Sequence, residues 1–181
     1  KSGAHALKLQ TYTADTLTLN ISDGDFFIKD NNSLWEGKSL YELYQEAYTP
    51  FEWHDELFSF SKEVDIICFS TPFDESAIEL LENLNTPVYK IASFELTDLV
   101  LVEAIAETNK PVILSSGMAN LKEIREAVET LLENGTSQLT ILHCVSGYPT
   151  EPKDANLKTI EDLERQFKCV IGLSDHTLSN S

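Results

Sequence analysis

A chain of 181 residues, 42% of them hydrophobic, can bury one sizeable core and has the composition of an ordinary globular protein. Its net charge of −17 excludes a nucleic-acid partner, because a phosphate backbone demands a basic surface; it leaves room for a small anion held by a few local lysines. No apolar run reaches the ~20 residues of a membrane helix or forms a signal-peptide core, and three cysteines unpaired by spacing (Cys68, Cys144, Cys169) suit free thiols in a reducing cytoplasm.

In chain order, "AHALKLQTYT" (4–13) reads as a strand. The stretch "SLYELYQEAYTPFEWHDELFSFSKE" (39–63) reads as helix broken at Pro50, which lacks an amide hydrogen. "VDIICFSTP" (64–72) is a strand, followed by "DESAIELLENL" as a helix with Asp74 at its N-cap. "VYKIAS" (88–93) and "PVILSSG" (111–117) are strands, with "LTDLVLVEAIAETN" (96–109) as the helix between them. In "NLKEIREAVETLLENG" (120–135), Asn120 and Glu123 form a capping box. Leu121, Ile124, Val128 and Leu131 share a face, and Gly135 stops the helix. "LTILHCVS" (139–146) and "CVIGLSDHT" (169–177) are the last strands, around a helix near 157–167.

Val88, Val112, Leu139 and Val170 are spaced by 24, 27 and 31 residues, the repeat of β-helix-β units with a parallel sheet. Six strands, each ending in polar residues, favour an incomplete (β/α)8 TIM-type barrel over an open doubly wound sheet; a closed barrel takes about 250 residues. No Gly-rich dinucleotide fingerprint, P-loop or zinc-ligand cluster is present.

In such a barrel the strand C-termini share one face, which gathers Lys8, Gln10, Ser70, Thr71, Lys90, Ser93, Ser115, Ser116, Ser146, Ser174 and His176. Hydroxyls that donate hydrogen bonds, with two lysines supplying charge, suit a phosphate or a carboxylate. Any single serine here also reads as a turn former. Lys8 and Lys90 are different, since a lysine inside an apolar strand must be paired or functional. Asp175 reads as a solvated loop carboxylate and His143 as a hydrogen-bonded core residue. His176 is a candidate ligand or base, although one histidine makes no metal site.

The segments "YKIASFELTD", "PVILSSGMANLKEI", "HCVSGYPTEPKDANLKTI" and "IGLSDHTLSN" resemble the nonulosonic (sialic) acid synthase family over the whole chain. "KLQTYTADTLTLN" and "LWEGKSLYELYQEAYTPFEWH" look most like its pseudaminic acid branch. The resemblance implies a (β/α)8 barrel followed by an antifreeze-like domain. Residues 1–181 then form a partial barrel domain, about strands 2 to 7, with the small domain absent. The implied reaction condenses phosphoenolpyruvate with a 2,4-diacetamido-2,4,6-trideoxy hexose, helped by a divalent metal, Mn2+ or Mg2+. N-acetylneuraminate and legionaminate synthesis are alternatives within the family. The resemblance gives Lys8 and Lys90 active-site roles. It sets Thr71, Lys90, Ser93, Ser115, Ser146 and Ser174 on phosphoenolpyruvate, with Ser146 standing where the family commonly has asparagine, and makes His176 a metal ligand. The implied partners are the two small-molecule substrates and, for the full-length enzyme, a second copy in a homodimer, without nucleic acid or membrane. The 181-residue chain is expected to be inactive. Two other readings stay open: a Schiff-base aldolase using Lys90, and a non-catalytic binding or interaction module.

Overall fold

The computed structural model describes residues 3–29 and 35–178. The chain forms two compact units, Lys1–Asn85 and Thr86–Ser181.

In the first unit, β1 (Ala6–Thr11) and β2 (Ile67–Pro72) run parallel, with Lys8 opposite Phe69 and Gln10 opposite Thr71. The intervening segment carries α1 (Ala14–Leu17), α2 (Leu40–Ala47) and α3 (His54–Glu63), and α4 (Glu75–Asn83) follows β2. Local chemistry explains the helix starts. Ser39 Oγ accepts from the Glu42 amide at 3.2 Å while the Glu42 carboxylate accepts from the Ser39 amide at 2.8 Å, a capping box at α2. Pro50 separates α2 from α3, and a 3-10 turn over Phe51–Trp53 leads into α3. Asp74 caps α4 as expected, accepting from the Ser76 amide at 2.7 Å.

Side chains alternate across a strand, so Lys8, Gln10, Phe69 and Thr71 share one face of the β1–β2 pair. The opposite face holds a buried polar chain. His54 Nδ1 lies 3.0 Å from the Pro50 carbonyl, which can only accept, so that nitrogen carries the hydrogen. His54 Nε2 therefore accepts from Thr11 Oγ1 at 2.8 Å, and Thr11 Oγ1 in turn accepts from Ser70 Oγ at 2.7 Å. All three side chains are fully buried. They tie both strands to α3.

In the second unit, β3 (Tyr89–Ile91), β4 (Val112–Ser115), β5 (Leu139–Cys144) and β6 (Val170–Ser174) lie side by side in that order, all parallel. Parallel neighbours need crossover connections, here supplied by α5 (Leu99–Ala106), α6 (Leu121–Glu133) and α7 (Lys158–Gln166). One face of this sheet, with Tyr89, Ile91, Val112, Leu114, Leu139 and Ile141, is buried with the helices' apolar residues. The register puts Lys90, Ile113 and Ser115, then Leu142, Cys144, Gly172 and Ser174, on the other face.

Two expectations are refined. The helix expected from residue 96 begins at Leu99: Glu95–Thr97 form a 3-10 turn, and Asp98 caps α5 through the Leu101 amide at 3.2 Å. On α6, the Asn120–Glu123 capping box and the Gly135 stop (φ +116°) are present, but the buried face is Ile124, Ala127, Val128 and Leu131; Leu121, in the first turn, is 40% exposed. Among the described residues no helix is long and apolar enough to cross a membrane.

Candidate active site

The second unit gathers polar residues at the C-terminal ends of its four strands. Lys90 and Ser115 come from adjacent strands on one face and are buried, as is Ser93 just beyond β3. Lys90 Nζ donates to the Ile91 carbonyl at 2.6 Å, which curls the ammonium around the strand tip. A buried ammonium is costly unless charge meets it, and the half-buried Glu95 carboxylate lies in its field. Burial pushes the Glu95 carboxyl above its ordinary pKa. Its own backbone amide and Lys90 act in the opposite direction.

Gly117 is the keystone of the group. Its amide donates to Ser93 Oγ at 3.0 Å, and Ser93 Oγ donates to the Cys144 thiol at 3.5 Å. A Cβ on Gly117 would overlap Ser146 Oγ and lie 2.7 Å from Ser93 Oγ and 2.9 Å from Cys144 Sγ. Three side chains from the ends of β3 and β5 thus converge where only a glycine fits. Ser146 Oγ is buried with no hydrogen-bond partner, a condition that costs about 1–3 kcal/mol for a hydroxyl. An anion oxygen entering here would satisfy it.

His176 follows β6. Its Nδ1 lies 3.0 Å from the Val145 carbonyl and therefore carries the hydrogen, leaving the lone pair on Nε2. The Cys144 thiol is 3.9 Å from Nδ1, and the Tyr148 ring centroid is 4.2 Å from the imidazole's. Ser174 is opposite Cys144 in the register. Asp175 is a solvated carboxylate, as expected. The Thr177 amide and hydroxyl, at 3.0 and 3.1 Å, hold its pKa down.

In the first unit, Lys8 and Thr71 stand on the same face of the β1–β2 pair. Thr71 Oγ1 is buried and, like Ser146 Oγ, without a partner. Lys8 is exposed, because among the described residues β1 pairs with β2 alone; partial desolvation still lowers its pKa. Of the two strand lysines expected to be paired or functional, Lys90 is buried and Lys8 is exposed.

The expected roles of His143 and the cysteines are met in kind. His143 is buried and donates from Nε2 to the Ala155 carbonyl at 2.7 Å; Cys68 and Cys144 are buried and all three thiols are free. Sequence reasoning passed over Glu95, Gly117 and Tyr148. Their signal was position alone, each lying within three residues of a strand-end serine. Metal binding does not fit the described residues by themselves. They contain no group of three candidate ligands, and His176 offers one nitrogen.

The NeuB family model matches residues 1–181. The chain is 48% identical over 180 residues to the pseudaminic acid synthase of Helicobacter pylori, covering 99% of this chain and 52% of that protein. It is 45% identical over 177 residues to the pseudaminic acid synthase of Campylobacter jejuni (strain 81-176), covering 98% and 51%. Against the N,N'-diacetyllegionaminic acid synthase of Campylobacter jejuni the identity is 36% over 179 residues, covering 97% and 53%. The chain thus spans about half the length of the curated relatives it matches. Among solved structures, the N-acetylneuraminic acid synthetase of Leptospira borgpetersenii superposes with a TM-score of 0.80 at 30% identity, covering 96% of this chain and 55% of that one. The fold is α/β, part of a TIM-type barrel of the sialic acid synthase kind. The chain belongs to the NeuB family.

Proposed function

We propose that this chain carries the phosphoenolpyruvate side of the active site of a pseudaminic acid synthase. The whole enzyme would condense phosphoenolpyruvate with a 2,4-diacetamido-2,4,6-trideoxy hexose, giving pseudaminic acid and phosphate. One observation carries the reading: the Ser93 and Ser146 hydroxyls and the Cys144 thiol converge around Gly117, in the unit whose sheet also carries the buried Lys90, and Ser146 Oγ has no partner. A buried hydroxyl without an acceptor can donate to an anion oxygen. The higher identity to pseudaminic than to legionaminic acid synthases favours the first sugar.

In the proposed reaction C3 of phosphoenolpyruvate forms a bond to the aldehyde carbon of the open-chain sugar. Water adds at C2, and cleavage of the C–O bond releases phosphate. Lys90, Ser93, Ser115, Ser146 and Ser174 would hold the anion and offset its charge. Such groups lower the barrier by standing in place before charge develops. His176 would supply one ligand to a divalent metal. The described residues do not complete that site, and the 181-residue chain is expected to bind phosphoenolpyruvate without turning over.

Calorimetric titration of phosphoenolpyruvate into the chain tests the reading. A charge-assisted hydrogen bond is worth about 1.5–3 kcal/mol, so Lys90→Ala should weaken binding by about tenfold or more. Equal affinity in wild type and variant would remove Lys90 from the site. Phosphate release on adding the sugar would contradict the expected inactivity. Borohydride trapping of a carbonyl substrate on Lys90 would move the chemistry to an imine mechanism.

A further inference from the structure

Along α3 the sequence writes two apolar faces, and the sheet covers one of them. His54, Phe58 and Ser61 are buried, and His54 bonds to Thr11 of β1. Trp53, Leu57, Phe60 and Val64 follow at steps of 4, 3 and 4 residues, the a/d repeat of a helix that pairs with another helix. Trp53 is 58%, Phe60 59% and Val64 47% exposed, and Leu57 is half-buried. Exposed apolar residues are ordinary one at a time, but a stripe running from one cap of a helix to the other marks a contact surface. In that repeat the e positions are His54 and Ser61, already buried. The g positions are Glu56 and Glu63, both exposed and in no ion pair among the described residues. Leu7 shares its face of β1 with Thr11, hence the α3 side of the sheet, and is 42% exposed; the helix layer is open above β1.

We infer that this seam seats one basic amphipathic helix, the neighbour of α3 in the outer ring of the whole protein's barrel. Its own a and d positions carry apolar residues, and lysine or arginine faces Glu56 and Glu63. The fold is part of a barrel whose helices stand side by side in a ring, so a helix is the occupant the architecture provides. Charge then selects its chemistry, because residues at g choose the partner in such pairs. A second copy does not suit the seam. Two α3 helices laid antiparallel would set Glu56 and Glu63 of one against those of the other; laid parallel, they would need the e positions that the sheet already covers. A net charge of −17 opposes that meeting further.

Calorimetry measures binding to the 181-residue chain of two synthetic heptad-repeat peptides, with leucine at every a and d position and either lysine or glutamate at every e and g. The lysine peptide should bind one to a chain and about tenfold tighter than the glutamate peptide. Glu56→Lys combined with Glu63→Lys should reverse that order. Phe60→Ser should weaken the lysine peptide by about tenfold or more, as the loss of a buried aromatic side chain does. All three residues are exposed, so the variants keep the fold. Equal affinity for the two peptides, or an order that survives the double charge reversal, would overturn the inference. Undiminished binding to Phe60→Ser would overturn it as well, since the peptide would then answer to a generally acidic surface. Self-association of the chain that Phe60→Ser abolishes would give the seam to a second copy instead. None of these readings involves phosphoenolpyruvate, so the inference and the functional reading stand or fall separately.

Discussion

Gly117 shows how much can turn on a missing methyl group. Alanine there would drive a carbon into Ser146 Oγ and crowd Ser93 Oγ and Cys144 Sγ, so the hydroxyls would have to splay apart. Gly117 carries no positive φ, so the backbone tolerates alanine and the damage falls on the cradle. Gly117→Ala should weaken phosphoenolpyruvate binding by about tenfold, the worth of one charge-assisted hydrogen bond, and lower the urea midpoint as well, since overpacking a buried site costs about 1–3 kcal/mol. Unaltered affinity would show that the anion sits elsewhere. Lys90 was legible in the sequence as a lysine inside an apolar strand, and Ser115 as the polar tip of one. Gly117 was not, since its importance comes from side chains of β3 and β5 that only folding brings to it. Lys8 teaches the reverse lesson: a lysine between leucines reads as paired or functional, but an exposed one needs no partner, and exposure depends on what lies beside the strand.

His54 links α3 to both strands of the first unit through a hydrogen-bond chain with one allowed direction. Protonating Nε2 would replace an acceptor with a second donor facing Thr11, and burial lowers the His54 pKa accordingly. A folded-state pKa below the unfolded value means that the unfolded chain binds the proton first. The His54 contribution is then complete above the unfolded pKa, about 6.5, and is lost as pH falls from there toward the depressed folded value. Urea unfolding across that window should show the loss in wild type and not in His54→Gln; identical slopes would rule the histidine out. The boundaries of α2, α4 and α6 were readable because Ser39, Asp74 and Asn120 write their caps in adjacent residues. α1 has a capping box of the same kind, Thr13 with Thr16, but four residues leave no period, and the 3-10 turns at Gly24–Phe26 and Pro152–Asp154 are equally short.

The whole chain sets its charge against its edges. Among the described residues β1 pairs only with β2 and β6 only with β5, and Leu7, Val170 and Leu173 are 42%, 67% and 42% exposed. Open edges invite pairing with another copy, whereas −17 charges repel it. Screening shortens that repulsion to about 10 Å at 0.1 M salt and about 3 Å at 1 M, so sedimentation should show self-association rising with both salt and concentration. A monomer under all conditions would mean that the edges are protected. The division of labour between the two sides of the second unit's sheet carries a genetic consequence. Along β5, His143 anchors a loop while its neighbour Cys144 faces the cradle, and the strands beside it keep the same alternation. Every second codon therefore answers to folding, and under the proposed function the intervening ones would answer to ligand, so drift at Cys144 or Ser115 would retune recognition without eroding the architecture that Ile141 and Leu114 uphold.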